Sequence, residues 1–274
     1  MILSVEMAAN KLLLKGGNRM AVVRSLCLNP GMSRADLSHA LRLTGSTVTM
    51  LVRELLAEGW LMERDVVTTG DIGRRPTPLF INPRRLVLLG AEVGVGSVRV
   101  VATSVVGEVL AREVVGFDPD GSPNDCIDAL SRALLGVGEP LDGPSRKIIG
   151  LGVGLPGAVD DVRGFLHDAP NLGWRDVPVG EMLARQLSVT ALAGVPLYVH
   201  NEADAAAIGE IEFSAAPVEL PLLYLSMNEG LGAGVAVRDK LLGGSRGLPA
   251  RSAISSLRST GRSARAGAVD VPKP

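Results

Sequence analysis

The sequence predicts an α/β protein made of a small basic head and a larger acidic body. Three observations carry this reading. Residues 1–85 hold 12 Lys/Arg against 7 Asp/Glu, whereas residues 86–247 hold 11 against 21. Apolar residues of the head repeat at helical spacing, and those of the body fall in short runs punctuated by glycine. Gly accounts for 33 of 274 residues and Pro for 17, too many turns for a bundle of long helices.

The same arithmetic excludes several classes of protein. Apolar residues make up 46%, enough for real cores, and charged residues only 21%, so wholesale disorder is not expected. Aromatics at 3% argue against stacking on RNA or single-stranded DNA. Cys27 and Cys126 are the only cysteines, which rules out a disulfide scaffold and a four-cysteine zinc site. No apolar run reaches membrane-span length and no signal-peptide layout is present, so a soluble cytoplasmic protein is expected.

In the head, Met20, Val22, Val23, Leu26 and Cys27 predict a helix over 18–28, broken at Asn29-Pro30-Gly31. Ser33 with Asp36 at capping-box distance predicts a helix over 33–41. After the turn Leu43-Thr44-Gly45-Ser46, Val48, Leu51, Val52, Leu55 and Leu56 predict an inward stripe on a helix over 46–58, ended by Gly59. Ser46, Thr47, Thr49, Met50 and Arg53 are left facing outward. Two strands, 60–65 and 77–81, flank Gly70-Asp71-Ile72-Gly73-Arg74-Arg75-Pro76. This is the pattern of a winged helix-turn-helix. Small polar residues and an arginine on the outward face suit entry into the major groove of double-stranded operator DNA. The wing arginines suit phosphate or the minor groove. Candidate DNA contacts are Ser33, Arg34, Ser46, Thr47, Thr49, Arg53, Arg74 and Arg75. Asn82-Pro83-Arg84-Arg85 reads as a hinge, and the domain boundary is placed at 85.

The body predicts a strand meander over 86–92, 98–104 and 109–115, then a helix over 125–135 and a buried strand over 147–153. Helices over 178–187 and 202–212 follow, with a strand over 197–199 between them. A hairpin over 222–226 and 234–237 comes last.

The order of motifs in this body resembles one family. Gly90-x-x-x-Gly94 is followed by Gly152-x-Gly154-x-Pro156-Gly157, Pro170-Asn171-Leu172-x-Trp174, Asn201-Glu202-Ala203-Asp204-Ala205 and Gly230-x-Gly232-x-Gly234. Together with the winged helix, this is similar to the DNA-binding repressor branch of the ROK family (repressors, open reading frames and sugar kinases). The resemblance covers about residues 15–247. It implies an actin-like sugar-kinase (ASKHA) fold and a sugar ligand, held at Gly154, Pro156, Gly157, Asn171, Asn201 and Glu202. Asn171 and Asn201 serve either sugar hydroxyls or their own turns, and Glu202 and Asp204 either ligand or helix N-terminus. A homodimer is expected in the intact family member.

The residues depart from the kinase pattern. Where the kinases carry Asp-x-Gly-Gly-Thr, Glu92-Val93-Gly94-Val95-Gly96-Ser97 stands here. Glu202 takes the place of the Asp that accepts the sugar proton, one methylene longer. Asn228-Glu229-Gly230 replaces Gly-Thr-Gly in the second phosphate loop and sets a carboxylate against phosphate. The expectation is a non-enzyme with no catalytic residue and no cofactor; the alternative is an ATP-dependent, glucokinase-like sugar kinase.

Beyond Gly247 the family pattern Ala-Gly-Glu-Ile-Gly-His and its zinc-binding cysteines do not occur. A one-base shift in codons permitted for Pro249 to Ser255 reproduces the first motif, and the same shift over Ser263 to Val271 allows the second. The expected division is therefore a winged helix at 1–85, an incomplete actin-like domain at 86–247 and an out-of-frame disordered tail at 248–274, with no metal bound.

Overall fold

Local capping decides where the helices of the head begin and end. The computed structural model describes residues 2–64, 77–214, 218–227, 231–237 and 240–242. Helix α1 spans Ile2–Leu28, α2 Arg34–Leu41 and α3 Gly45–Ala57. The capping box at α2 forms as expected: the Asp36 N–H donates to Ser33 Oγ at 3.2 Å and the Ser33 N–H to Asp36 Oδ2 at 2.8 Å. At α3 the N-cap is Thr44, so the helix starts at Gly45, one residue earlier than expected. Gly59 ends it with φ +81, where the Gly59 N–H reaches Leu56 O and the Trp60 N–H reaches Leu55 O. These two bonds are a Schellman motif, which favours glycine at the left-handed position.

Helix α1 is longer than the sequence predicts. It continues through Gly16 and Gly17, at a cost of about 1 kcal/mol each relative to Ala. Long-range ion pairs offset this, with Lys15 Nζ 2.7 Å from Glu54 of α3 and Arg19 bound to Glu54 and Glu58.

Strands β1 (Leu61–Glu63) and β2 (Leu79–Ile81) pair antiparallel, with Met62 opposite Phe80. Val22, Val23, Leu26, Leu37, Val48, Leu51, Val52, Leu55, Leu61, Leu79 and Ile81 form the core of the head. Each such side chain stabilises by roughly 1.5–3 kcal/mol when fully buried.

This core does not stop at the expected boundary. Leu86 and Val105 are buried in the same cluster, and Leu88 and Ile149 pack against it. The Lys147 N–H donates to Arg85 O at 2.8 Å, and Arg85 Nη1 donates to Pro144 O at 3.3 Å. The stem of Arg85 lies over Gly59, where a Cβ would come 2.1 Å from it. The segment 82–85 is therefore clamped on both sides and is not the hinge that Pro-Arg-Arg suggested.

Beyond it the chain runs β3 (Leu86–Gly94), β4 (Ser97–Ser104), β5 (Val109–Gly116), α4 (Pro123–Gly138), β6 (Lys147–Leu155), β7 (Ala158–Asp160), β8 (Phe165–Ala169) and β9 (Trp174–Val177). Then come α5 (Val179–Leu187), β10 (Leu197–Asn201), α6 (Glu202–Phe213), β11 (Leu222–Met227), β12 (Leu231–Val237) and β13 (Lys240–Leu241). A five-stranded sheet has the order β10-β6-β3-β4-β5, with α4 packed on β3, β4 and β5. A three-stranded sheet, β7-β8-β9, was not foreseen in the sequence. A third, β11-β12-β13, carries α6 against it.

By packing, the chain divides into two units: residues 1–153 with 180–198, and residues 154–179 with 199–274. No described helix is long and apolar enough to cross a membrane.

Candidate functional site

The head presents a helix-turn-helix with one face spent on the core. Val48, Leu51, Val52 and Leu55 of α3 are buried, which leaves Ser46, Thr49, Met50 and Arg53 exposed. Thr47 is half-buried, and its hydroxyl lies 2.8 Å from Thr44 Oγ1. The Thr49 hydroxyl donates to Gly45 O at 2.7 Å. Ser33 is buried in its capping box, so its hydroxyl serves α2. Arg34 is held by Glu63 at 2.8 Å. Arg74 and Arg75 lie outside the described residues.

Charge on this surface is distributed unevenly. The hydrogen bond from Lys15 holds the Glu54 carboxyl below its usual range, and that from Arg19 does the same for Glu58. These carboxylates face α1 and are neutralised there. Arg42 takes the left-handed conformation at φ 53 between α2 and α3 and is exposed.

In the second unit a hydrogen bond joins two of the candidate ligand residues, Asn201 and Gly157. Asn201, 8% exposed, caps α6 by accepting from the Ala203 and Asp204 N–H groups, and its Nδ2 donates to Gly157 O at 2.8 Å. Gly157 has φ +100, and a Cβ there would stand 2.2 Å from Asp168 O. No other residue fits that turn without displacing β8. Gly154 and Pro156 are buried, and Asn171 is exposed in the turn from Pro170 to Gly173. Glu202 is half-buried, with Oε1 3.5 Å from the point where a Cβ on Gly232 would stand. Gly234 lets β12 approach the α6 backbone, since a Cβ there would meet Ala203 O at 2.4 Å.

Asp204, for which the sequence leaves open a ligand role or a helix N-terminal one, stands in the first turn of α6. It is half-buried, and burial raises its pKa, Asp161 adds to the rise and His200 opposes it. His200 Nδ1 itself lies 3.8 Å from Asp161 Oδ2. Its place in the Asn201-Glu202-Ala203-Asp204 motif was the available signal. Cys126 is buried in α4, and burial pushes its thiol up to about 12, consistent with a packing role. Among the described residues no group of three or more His, Cys, Asp or Glu is placed to hold a metal ion. Residues 228–230, with Glu229, and those from 243 onward lie outside the described residues.

Comparison with known proteins places these features together. The winged helix-turn-helix DNA-binding profile matches residues 17–62, and the ROK family profile matches residues 88–251. The xylose repressor of Caldicellulosiruptor bescii is 31% identical over 243 residues, which is 87% of this chain but only 58%, about three-fifths, of that protein's length. A crystal structure of a ROK family transcriptional regulator, homologous to the E. coli MLC protein, matches with a TM-score of 0.68. It is 22% identical and covers 86% of this chain and 58% of that one. The ROK family glucokinase of Streptomyces griseus, solved with glucose and AMPPNP, matches with a TM-score of 0.51 at 27% identity, over 59% of this chain and 48% of that one. The architecture is thus a winged helix-turn-helix followed by part of an actin-like sugar-kinase fold, and the chain belongs to the ROK family.

Proposed function

We propose that this chain is the DNA-binding and ligand-sensing portion of a sugar-responsive transcriptional repressor that acts in the cytoplasm as a homodimer and is not an enzyme. The observation that carries the reading is the capped helix-turn-helix itself. Its third helix buries Val48, Leu51, Val52 and Leu55 and leaves Ser46, Thr49 and Arg53 exposed for base edges. Relatives named xylose repressors support the same reading. The reading keeps two functional parts, the head at 1–85 and the sensor at 86–247, and gives the tail at 248–274 no role.

In this reading the sugar sits by Gly154, Pro156, Gly157, Asn171, Asn201 and Glu202. Gly157 and Asn201 shape the turn, and Asn171 and Glu202 offer polar groups to hydroxyls. D-xylose is the first candidate, taken from the names of those relatives. The test is selection of a preferred duplex from random DNA, followed by titration with D-xylose and a panel of hexoses. Saturable binding released by one sugar is expected. Absence of any preferred duplex overturns the reading.

The likeness to a glucokinase structure and the carboxylate of Glu202 favour a second reading, an ATP-dependent sugar kinase. Phosphorylation of glucose by Mg-ATP, abolished in Glu202→Gln, would establish it. Glu229 in the phosphate loop speaks against it on charge.

A further inference from the structure

Most described cations of the head whose partners are defined are tied to carboxylates. Lys15 and Arg19 bind Glu54 and Glu58, and Arg34 binds Glu63. A cation so paired offers little net field to a polyanion. Arg64 is held differently: its guanidinium carbon lies 4.4 Å from the centroid of the Phe80 ring. The ring attracts the cation through its quadrupole but carries no net charge, so the full positive charge remains. The guanidinium has five N–H donors, and those not turned toward the ring can fork onto phosphate oxygens.

The position of this pair is fixed by the ladder. Leu61, Leu79 and Ile81 face the core, so the alternate residues Met62 and Phe80 lie on the outer face of β1 and β2, and Arg64, one residue past β1, meets Phe80 there. Arg64 is exposed and is the last described residue before the segment that carries Arg74 and Arg75. The Phe80 ring packs over Gly31, with a ring carbon 3.4 Å from where a Cβ would stand. Next to it, Gly31 N donates to Leu79 O and Leu79 N to Met32 O, at 2.9 and 3.0 Å. Phe80 is thereby pinned beside the segment that enters α2. In helix-turn-helix docking, the helix before the recognition helix crosses the DNA backbone. A backbone that passes the start of α2 therefore passes Arg64.

We propose that Arg64, just past β1, is a DNA-phosphate contact pre-positioned by Phe80. The proposal rests on the reading of the head as a DNA-binding domain and adds a residue that neither the motif nor the outward face of α3 indicated. Phe80 is a positioning residue, since it acts through Arg64.

The test is binding of the full chain to a mixed-sequence duplex of about 25 base pairs across a salt series, where each phosphate contact contributes about 0.9 to the slope of log K against log salt. Arg64→Ala should weaken binding several-fold and flatten the slope by about one contact. Arg64→Lys should restore the slope with partial affinity. Phe80→Leu should keep the slope and lose affinity, because the charge stays but is no longer oriented. Arg84→Ala, which removes an exposed charge from the junction, is the control and should change less. A loss in Arg84→Ala equal to that in Arg64→Ala overturns the proposal, as does unchanged binding in Arg64→Ala when the unmodified chain binds. A purely structural pair would lower the melting temperature in Phe80→Leu and leave the slope unchanged in Arg64→Ala, which also overturns it. Failure of the unmodified chain to bind any duplex would instead remove the DNA-binding reading, and this proposal with it.

Discussion

Asn201 Nδ2 donates to the carbonyl oxygen of Gly157 at 2.8 Å, joining points 44 residues apart in the chain. The same side chain caps α6 through its oxygen, so one buried amide holds both the turn and the helix.

Asn201→Ala should therefore cost more than a cap alone. Loss of the N-cap is worth about 0.5–2 kcal/mol, and a buried carbonyl left without its donor about 1–3 kcal/mol. Asn201→Asp keeps the capping acceptor and loses the donor to Gly157 O, so it should recover only the first part. Urea unfolding of the three proteins measures both terms. Equal stability of Asn201→Ala and the parent would contradict the double role.

Val105 sits in the turn between β4 and β5, yet its side chain is buried in the core of the head. Val105→Ala should destabilise by about 1–3 kcal/mol. Amide exchange should accelerate together at Leu55 of α3 and Leu86 of β3, because one core holds both. Faster exchange at Leu86 alone would show that the head opens independently.

The α1–α3 clasp predicts a dependence on pH. Hydrogen bonds from Lys15 and Arg19 lower the carboxyl pKa values of Glu54 and Glu58 below the ordinary glutamate value. A depressed carboxyl stabilises the fold above its unfolded pKa and loses that contribution as pH falls through the folded value. Thermal stability should drop below about pH 4, and the drop should shrink in the Glu54→Gln, Glu58→Gln double variant. High salt should weaken the clasp, since its groups are partly exposed. An identical acid limb in the double variant would exclude the clasp as its source.

Asp204 predicts the opposite sign. Burial raises its pKa, so ionisation costs stability as pH rises from the unfolded value through the folded one. Asp204→Asn should raise the melting temperature near neutral pH, and the gain should vanish towards about pH 4. Its backbone N–H bond to Asn201 Oδ1 is kept in the variant. A lower melting temperature at pH 7 would mean that interaction with His200 outweighs the burial.

The α2–turn–α3 unit was legible because its signals are local. Ser33 and Asp36 are three residues apart, Gly59 ends α3 next to its own last turn, and Val48, Leu51, Val52 and Leu55 repeat at helical spacing. The β3–β4–β5 meander was legible for the same reason, since glycines at 96 and 107 turn between alternating strands. The sheet of β7, β8 and β9 was not. Its strands, Ala158–Asp160, Phe165–Ala169 and Trp174–Val177, are too short to show an alternation. Their pairing depends on turns at Gly157, Gly164 and Gly173, each with positive φ.

By itself the sequence determined the α2–turn–α3 unit and the β3–β4–β5 meander, which face of α3 is apolar, and which motifs stand in which order. Those properties depend on neighbours a few residues away. Only the tertiary structure decided what each polar or apolar side chain does. Arg34 and Arg64 look alike in sequence, yet one meets Glu63 and the other the ring of Phe80. Val105 lies in the turn between two strands and is buried in the same core as α1–α3, and Asn201, open in sequence between a sugar ligand and its own turn, holds Gly157. The physical reason is distance along the chain. Ion pairs, stacking and burial act between groups brought within a few ångströms by folding, and no local pattern records which partners those will be.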